Sequence, residues 1–325
     1  KPPITHDERR VTMDMTNLGD AAATRADGLV DALIEAVGAE AVLENEPMSK
    51  HTTFRIGGPA DVYVMPHTVD ELVRVVTLCR KEGAAYRVVG NGSDLLVSDD
   101  GLRCVVVQVL DNLSDVVVDG ATVRALAGAT NAAVADAALD AGLAGFEFAS
   151  GIPGTIGGAA IMNAGAYGGE FKDVAVELTC VTPEGEVVKV SRDEADWSYR
   201  HSMMDAAGYI VVEAVLELTP DDPAEIAARM GDLKARREEK QPLDMPSAGS
   251  TFKRPEGYFA GKLIQDSELR GYRVGGAQVS EKHTGFVVNA GGATAADVMQ
   301  LIEDVQDRVK ERFGVMLEPE VRIWS

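Results

Sequence analysis

The sequence predicts an α+β fold with more than one domain. Amphipathic helical patterns alternate with short apolar runs typical of strands, and two glycine-rich stretches interrupt them at 90–94 and 149–168. A chain of 325 residues is longer than one small hydrophobic core requires, so two or three domains are expected. Hydrophobic residues make up 46% of the chain, which provides enough apolar side chains for buried cores.

The composition excludes several classes of partner. The formal net charge of −21 argues against nucleic acid as the main partner, because phosphate binding needs a basic face. No apolar run approaches the length of about 18 residues that a membrane-spanning helix needs, so no membrane insertion is expected. The five histidines lack the spacing of a metal site, so no metal is expected. Cys79, Cys104 and Cys180 are far apart, which is typical of reduced thiols in a cytosolic protein.

The first half of the chain alternates between helix and strand patterns. Residues 1–24 lack a hydrophobic signal core and are expected to form a disordered tail. Leu29, Leu33 and Val37 repeat every four positions, which predicts an amphipathic helix from Asp27 to Val42. The remaining patterns predict, in order, a strand after Gly57-Gly58, a helix over Val69–Glu82, a strand over Tyr86–Val89, strands between Cys104 and Leu126, and a helix over Thr130–Ala141.

The second half contains the clearest boundary in the chain. In Pro220-Asp-Asp-Pro223, Asp222 is a candidate helix cap and Pro223 suits the first helical turn, so a helix to about Lys240 opens a new domain. Thr294 and Asp297 form a capping-box pattern ahead of another long helix. The other patterns predict a hairpin over Val174–Val190, strands over Tyr209–Leu218 and Phe286–Asn289, a buried helix face formed by Val298, Leu301, Val305 and Val309, and a closing strand over Leu317–Trp324.

The two glycine-rich stretches indicate a ligand site. Such a density of glycine indicates backbone that adopts positive φ or approaches another group closely, and unpaired N–H groups in such backbone can form a nest for an anion. Residues 90–94, Gly-Asn-Gly-Ser-Asp, follow a strand, but they lack the third glycine and the helix of a Rossmann turn. The apolar, uncharged stretch 149–168 is expected to form a wall against a flat ligand. Together with the loop at 90–94, this wall suits a dinucleotide whose diphosphate is held by backbone N–H groups.

Seven segments, in one order, resemble the UDP-N-acetylenolpyruvoylglucosamine reductase family. The most specific is Gly-Ile-Pro-Gly-Thr-Ile-Gly-Gly-Ala followed by Met-Asn-Ala-Gly-Ala-Tyr-Gly, within 151–168. The resemblance extends from about residue 45 to the C-terminus. The segments are Thr53–Gly58, Gly90–Val97, Gly151–Gly168, Tyr199–Ser202, Gly249–Pro255, Ala260–Ile264 and Leu317–Arg322.

This resemblance implies a fold and a domain plan. An FAD-binding domain of the vanillyl-alcohol-oxidase (PCMH) type would occupy 25–219 as two subdomains, about 25–90 and 91–219. A smaller α+β substrate-binding domain would occupy 220–325, and its last strand is a candidate for returning to the FAD domain.

The resemblance also implies an activity. It is the NADPH-dependent reduction of UDP-N-acetylglucosamine enolpyruvate to UDP-N-acetylmuramate through non-covalent FAD, in peptidoglycan synthesis. NADPH would be the co-substrate and the UDP-sugar the small-molecule partner of a cytoplasmic enzyme linked to cell wall biogenesis, cell shape, cell cycle and cell division. A monomer is expected, and the sequence leaves the oligomeric state open.

Three positions match the catalytic residues of the family. Arg200 lies in Tyr-Arg-His-Ser, Ser250 in Gly-Ser-Thr-Phe-Lys, and Glu320 is the second acid of Leu-Glu-Pro-Glu-Val. The resemblance makes Ser250 the proton donor, and a fixed guanidinium at Arg200 suits a substrate carboxylate on which negative charge develops. Glu320 would either polarise that carboxylate or orient Arg200. The short connection between Arg200 and Ser250 resembles the type that lacks an inserted substrate-covering loop.

Further site residues follow from the glycine loops and from a local excess of positive charge. Between 229 and 282 the chain has 11 Lys and Arg against 8 Asp and Glu, which suits a pocket for a diphosphate. The expected cofactor-binding residues are Gly90, Asn91, Gly92, Ser93, Asp94, Gly151, Ile152, Pro153, Gly154, Gly157, Gly158, Asn163 and Gly165. The expected substrate-binding residues are Tyr199, Lys240, Lys253, Arg254, Lys262 and Arg270, with loop residues preferred to those on the helix that precedes Lys240.

Two alternatives stay open at this point. A flavin-dependent alcohol oxidase of the same fold would use similar glycine loops, often with a His or Cys that tethers the flavin covalently. A flavin- or nucleotide-binding regulatory module without activity is disfavoured, because Arg200, Ser250 and Glu320 are all present.

Overall fold

The computed structural model describes residues 28–325, in which three larger sheets are each packed against helices. The expected tail, residues 1–24, lies outside the described residues. No helix within 28–325 is both long and apolar enough to cross a membrane.

The first sheet has the strand order β1-β2-β5-β3. Its β1–β2 pair is antiparallel, whereas β2–β5 and β3–β5 are parallel, with helix α2 making the crossover between β2 and β3. Helix α2 starts where the Thr68 hydroxyl accepts a hydrogen bond from the Glu71 N–H, at 3.1 Å. The elements are α1 (Leu29–Val37), β1 (Val42–Pro47), β2 (Pro59–Val64), α2 (Val69–Lys81), β3 (Tyr86–Val89), β4 (Leu95–Val97) and β5 (Leu102–Gln108), with 3₁₀ turns at Ala39–Ala41 and Met48–Lys50.

The second sheet is antiparallel throughout, in the order β12-β11-β13-β7-β6. Helix α4 packs against the central strand β13, which fixes the wall that the glycine-rich stretch forms. The elements are β6 (Val116–Asp119), β7 (Thr122–Leu126), α3 (Asn131–Asp140), β8 (Leu143–Ala144), α4 (Ile156–Ile161), β9 (Gly165–Ala166), β10 (Gly169–Glu170), α5 (Phe171–Val174), β11 (Ala175–Val181), β12 (Val187–Ser191), α6 (Met203–Ala207), β13 (Ile210–Glu217) and β14 (Thr219–Pro220), with 3₁₀ turns at Asp111–Leu113 and Glu147–Ala149.

The third sheet, β15-β18-β17-β16, is antiparallel and packs against α9. The predicted apolar face of α9 is confirmed, because Val298, Leu301, Val305 and Val309 are all fully buried. Burying four such side chains contributes about 1.5–3 kcal/mol each. The elements are α7 (Pro223–Lys240), β15 (Ser247–Ser250), α8 (Ala260–Asp266), β16 (Arg273–Val274), β17 (Ala277–Val279), β18 (Phe286–Asn289), α9 (Ala295–Phe313) and β19 (Arg322–Trp324).

The C-terminal segment crosses from the third sheet to strand β4, which lies in the chain between β3 and β5 of the first sheet. The Lys253 N–H donates to Glu318 O at 2.8 Å, and the Glu320 N–H donates to Thr251 O at 2.8 Å. Strand β19 then pairs in parallel with β4, with Arg322 opposite Leu95. Residues 318–324 are therefore held between two parts of the molecule.

Three sequence expectations need correction. The closing strand is expected from Leu317 but begins at Arg322, because residues 318–320 instead form an isolated antiparallel bridge with residues 251–253. The first helix ends at Val37, where Gly38 has φ +93 and cannot continue it. Helix α4 lies within a stretch that was expected to be loop throughout, because four glycine and alanine residues within it hid a helical turn. The domain limits at 90 and 219 stay predictions.

Candidate active site

A cavity of about 890 Å³ is lined by residues from all three parts of the fold. Its walls come from the β3–β4 loop, the segment around α4, the turn before α6, the segment from α7 to β15, and the C-terminal strand. This volume lies at the upper end of the range of about 300–1,000 Å³ that is usual for cofactor and substrate pockets.

The β3–β4 loop, residues 90–94, offers unpaired backbone donors to the cavity. None of its five N–H groups donates a hydrogen bond to another described residue. Gly92 has φ +57, and a Cβ there would lie 2.1 Å from the His51 carbonyl oxygen, so only glycine fits. A Cβ on Gly90 would lie 2.5 Å from Thr155 Oγ1. The loop is therefore a concave backbone nest of the kind that binds anions.

The second glycine stretch forms an ordered wall around α4. Thr155 caps this helix, and its hydroxyl accepts from the Gly158 N–H at 3.5 Å. The Gly157 N–H donates to Ala127 O at 2.8 Å, and a Cβ on Gly157 would lie 2.9 Å from Ala127 Cβ. Gly157 therefore permits close packing of the helix on the protein, and its N–H is not available to a ligand.

The two glycine stretches contact each other directly. The Ser93 hydroxyl donates to the Pro153 carbonyl oxygen at 3.1 Å. Gly154 follows with φ +119, and a Cβ there would lie 2.8 Å from Ser93 Oγ. The β3–β4 loop and the wall consequently form one continuous surface, as the sequence predicts for a dinucleotide site.

Most of the expected cofactor-binding residues line the cavity, and two do not. Asn163 is buried behind the wall: its amide donates to Glu170 Oε2 at 2.9 Å and to Ser198 O at 3.1 Å, and its Oδ1 accepts from the Lys172 N–H. Gly151 is also absent from the lining and packs on Arg237. The residues that line it are Gly90, Asn91, Gly92, Ser93, Asp94, Ile152, Pro153, Gly154, Gly157, Gly158 and Gly165.

Arg200, Ser250 and Glu320 lie in the lining of the same cavity. Arg200 Nε donates to Glu320 Oε1 at 2.7 Å, and the Tyr199 hydroxyl lies 3.4 Å from Glu320 Oε2. Arg200 has φ +54 in a two-residue turn closed by Ser198 and His201. Such a conformation is strained for a residue other than glycine, and the ion pair holds it there. Burial acts to lower the pKa of Arg200, but the Glu320 carboxylate more than offsets this, so the pKa is raised.

A second ion pair lies beside the first. Arg322 donates two hydrogen bonds to the carboxylate of Asp205, at 2.8 Å and 2.7 Å. The Arg322 guanidinium also contacts Met162 Sδ at 3.2–3.3 Å. Arg322 lies on β19 and Asp205 on α6. The C-terminal segment thus brings two charges to the cavity, Glu320 just before β19 and Arg322 within it, and both are paired.

The expected substrate-binding residues lie outside the cavity lining in this structure. Tyr199 supports Glu320, and its hydroxyl also accepts from the Arg254 N–H at 3.1 Å. Lys253 pairs with Glu318, and Lys262 with Asp266. The residues absent from the lining are Tyr199, Lys240, Lys253, Arg254, Lys262 and Arg270.

Arg237 is a lining residue that the sequence-based preference for loops passed over. Its side chain belongs to α7, the residue is only 9% exposed, and no carboxylate within 28–325 pairs with it. Burial lowers its pKa, opposed by Tyr167, whose ring lies 5.9 Å from Cζ. The sequence does contain a signal for this position. The helical spacing of Ile226, Met230 and Arg237 places the arginine on the face of α7 that packs inward.

These residues fit a bound dinucleotide such as FAD. The nest at 90–94 presents donors without partners, and glycines stand where a Cβ would collide. Two buried acceptors of lining residues, Asn131 Oδ1 and Asp94 Oδ2, have no hydrogen-bond partner among the described residues. Buried polar atoms in proteins are usually paired, so these two indicate that a ligand completes the site.

Comparison with known proteins identifies relatives over most of the chain. The model of the FAD binding domain matches residues 60–191, and the model of the UDP-N-acetylenolpyruvoylglucosamine reductase C-terminal domain matches residues 241–324. The UDP-N-acetylenolpyruvoylglucosamine reductase of Agathobacter rectalis is 54% identical over 294 residues, 87% of this chain and 93% of the relative. That of Caldanaerobacter subterraneus is 50% identical over 298 residues, 92% of this chain and 98% of the relative.

A solved structure agrees with these relatives. The crystal structure of UDP-N-acetylenolpyruvylglucosamine reductase from Thermus caldophilus superposes with a TM-score of 0.76 at 35% identity, covering 87% of this chain and 98% of that one. The prediction of an α+β fold with a vanillyl-alcohol-oxidase-type FAD-binding domain and a smaller C-terminal domain is confirmed.

Proposed function

Because the chain belongs to the UDP-N-acetylenolpyruvoylglucosamine reductase family, we propose that it uses NADPH to reduce UDP-N-acetylglucosamine enolpyruvate to UDP-N-acetylmuramate. The observation that carries the proposal is one cavity that joins the backbone nest at 90–94 to Arg200, Ser250 and Glu320. The reaction would be a step of peptidoglycan synthesis. We propose that it takes place in the cytoplasm and supports cell shape and division.

The two glycine stretches would hold the cofactor. The N–H groups of residues 90–94 would face the diphosphate of FAD, and the wall from Ile152 to Gly165 would lie against its flat ring system. Bound FAD supplies hydride transfer, from NADPH to the enolpyruvyl carbon of the sugar.

Arg200 would bind the carboxylate of the enolpyruvyl group. Negative charge develops on that carboxylate and its neighbouring carbon as the double bond is reduced, and a fixed guanidinium stabilises it. Glu320 holds Nε of Arg200 at 2.7 Å, so we assign Glu320 the role of orienting the guanidinium. The remaining guanidinium nitrogens are free of ion pairs with any other described residue.

Ser250 would protonate the carbon. It is the last residue of β15 and lies in the cavity lining, and its hydroxyl makes no hydrogen bond to another described residue. A hydroxyl without a protein partner is available to a ligand, and a positioned proton donor typically contributes about 10²–10⁴-fold to a rate.

A coupled assay tests this function. The purified protein should oxidise NADPH only when UDP-N-acetylglucosamine enolpyruvate is present, with one UDP-N-acetylmuramate formed per NADPH, and heat or acid should release FAD. NADPH oxidation that ignores the sugar would contradict the proposal. Flavin that stays with the denatured pellet would favour the alcohol oxidase of the same fold instead.

A further inference from the structure

Asp94 is a half-buried acid that the proposed reaction does not use. It ends the nest at 90–94, directly before β4, and it lines the cavity. Its Oδ2 is fully buried and has no hydrogen-bond partner among the described residues. An ionised carboxylate in such a place would normally be paired, because an uncompensated buried charge is costly.

The charges around Asp94 do not pair with it. The C-terminal segment brings Glu320 and Arg322, and the turn before α6 brings Arg200. Asp205 of α6 is the ion-pair partner of Arg322. Arg200 is paired with Glu320, and Arg322 with Asp205, and none of the ion pairs between residues 28 and 325 includes Asp94. Three carboxyl groups therefore share two guanidinium groups, and Asp94 is the one left over.

The protonated form relieves this imbalance. Burial, reinforced by the Glu320 carboxylate, raises the pKa of Asp94 to about 8, against the opposing charges of Arg322 and Arg200. A neutral carboxyl has an O–H that can donate, in addition to an acceptor oxygen, whereas a carboxylate can only accept. The same carboxyl would repel an anionic ligand if it were ionised.

We infer that Asp94 holds a proton at neutral pH and donates a hydrogen bond to an acceptor atom of the bound dinucleotide, as an amide side chain would. The identity of that dinucleotide as FAD rests on the proposed function. A buried carboxylic acid kept neutral for donation is an established device in enzyme sites. Binding of the cofactor then depends on one proton of the protein, and it weakens as that proton is lost.

The matched variant is Asp94→Asn, which keeps the shape and a donor but cannot ionise. FAD is titrated into protein freed of flavin, from pH 6 to pH 9, and the dissociation constant is read from flavin fluorescence. For the wild type, affinity should be constant at low pH and fall about tenfold per pH unit above a midpoint near 8. Asp94→Asn should bind within a few-fold of the wild type at pH 7, with no fall above pH 8. Asp94→Ala should bind more weakly at every pH.

Infrared spectroscopy reads the protonation state without any ligand. At pH 7 the wild type should show the C=O stretch of a protonated carboxylic acid that Asp94→Asn lacks, and the band should disappear as the pH passes 8. Absence of that band, or a wild-type affinity as independent of pH as that of Asp94→Asn, would overturn the inference. If neither protein binds FAD, the proposed function fails, and the infrared band still decides whether Asp94 carries a proton.

Discussion

The Nε atom of Arg200 lies 2.7 Å from Oε1 of Glu320, across a separation of 120 positions in the chain. The side chains are 18% and 12% exposed, so the pair is largely shielded from water. It joins the turn before α6 to the segment that leads into β19, and it fixes the direction of a guanidinium at the edge of the cavity. A charge held in this way needs little reorganisation when a substrate carboxylate arrives.

This relationship predicts coupled effects of substitution. Glu320→Gln removes the negative charge and leaves the Arg200 guanidinium partly uncompensated, so the free energy of unfolding should fall by about 1–3 kcal/mol. In the double variant Arg200→Gln/Glu320→Gln the loss should be smaller than the sum of the two single losses, by about 0.5–3 kcal/mol. Urea unfolding of the four proteins measures the cycle, and strictly additive losses would show that the pair is not coupled.

We expect substitution of Arg237 to increase stability and to weaken ligand binding. Replacing it by Gln removes a buried cation that no described carboxylate balances, so the unliganded protein should unfold at a higher temperature. The same change would take away the charge-assisted hydrogen bonds that Arg237 can donate to an anionic ligand, worth about 1.5–3 kcal/mol, so binding of FAD or of the UDP-sugar should weaken about 10- to 100-fold.

The neighbouring Arg236 provides the control for that experiment. It lies on the same helix with its side chain 55% exposed and pairs with Asp232. Arg236→Gln should therefore leave both dissociation constants within about two-fold, because an exposed pair contributes only about 0–1 kcal/mol. Equal binding by Arg237→Gln and the wild type, for both ligands, would remove Arg237 from the site.

We expect the same substitution, glycine to alanine, to have different effects at Gly157 and at Gly158. A Cβ on Gly157 would lie 2.9 Å from Ala127 Cβ, so Gly157→Ala should lower the melting temperature. A Cβ on Gly158 would meet only Thr155 Oγ1, at 3.7 Å, and Gly158 lines the cavity. Gly158→Ala should therefore keep the melting temperature and weaken FAD binding. Thermal unfolding without flavin and fluorescence titration with flavin separate the two, and a stable Gly157→Ala protein would contradict the packing argument.

The strongly periodic elements could be predicted from the sequence alone. Helix α9 has its capping box at Thr294 and its buried face at the expected positions, because a period of 3.6 and a cap are both local properties. Helix α7 likewise begins at Asp222 and Pro223 as expected. Strand β18 covers Phe286–Asn289 without change, since a short buried apolar run determines its own limits.

The sequence could not predict which residues face the cavity and which lie behind the glycine wall. Asn163 was expected to contact the cofactor, yet its φ of +41 and three hydrogen bonds to protein groups keep it behind the wall. Arg237 was passed over in favour of loop cations, although it faces the cavity. Both outcomes depend on how α4 and α7 pack, and such packing is decided by contacts distant in sequence.

We expect that substitution of Ser250 impairs only the second half-reaction, in which the reduced flavin reduces the sugar. If its hydroxyl protonates the substrate carbon, it acts only after the flavin has been reduced, and reduction by NADPH does not need it. Ser250→Ala should therefore leave flavin reduction within a few-fold of the wild type. Reoxidation by the enolpyruvyl sugar should slow by about 10²–10⁴-fold. Stopped-flow absorbance of the flavin, recorded separately for each half-reaction, measures both rates.

A structural effect of the Ser250 substitution can be separated from a chemical one. The hydroxyl makes no hydrogen bond to another described residue, so its loss should change the free energy of unfolding by less than about 0.5 kcal/mol. Ser247→Ala, on the same strand and also in the cavity lining, is the matched control and should leave both half-reactions within a few-fold. Equal slowing of both half-reactions by Ser250→Ala would mean that Ser250 supports the shared cavity. An unchanged second half-reaction would mean that the proton comes from another group.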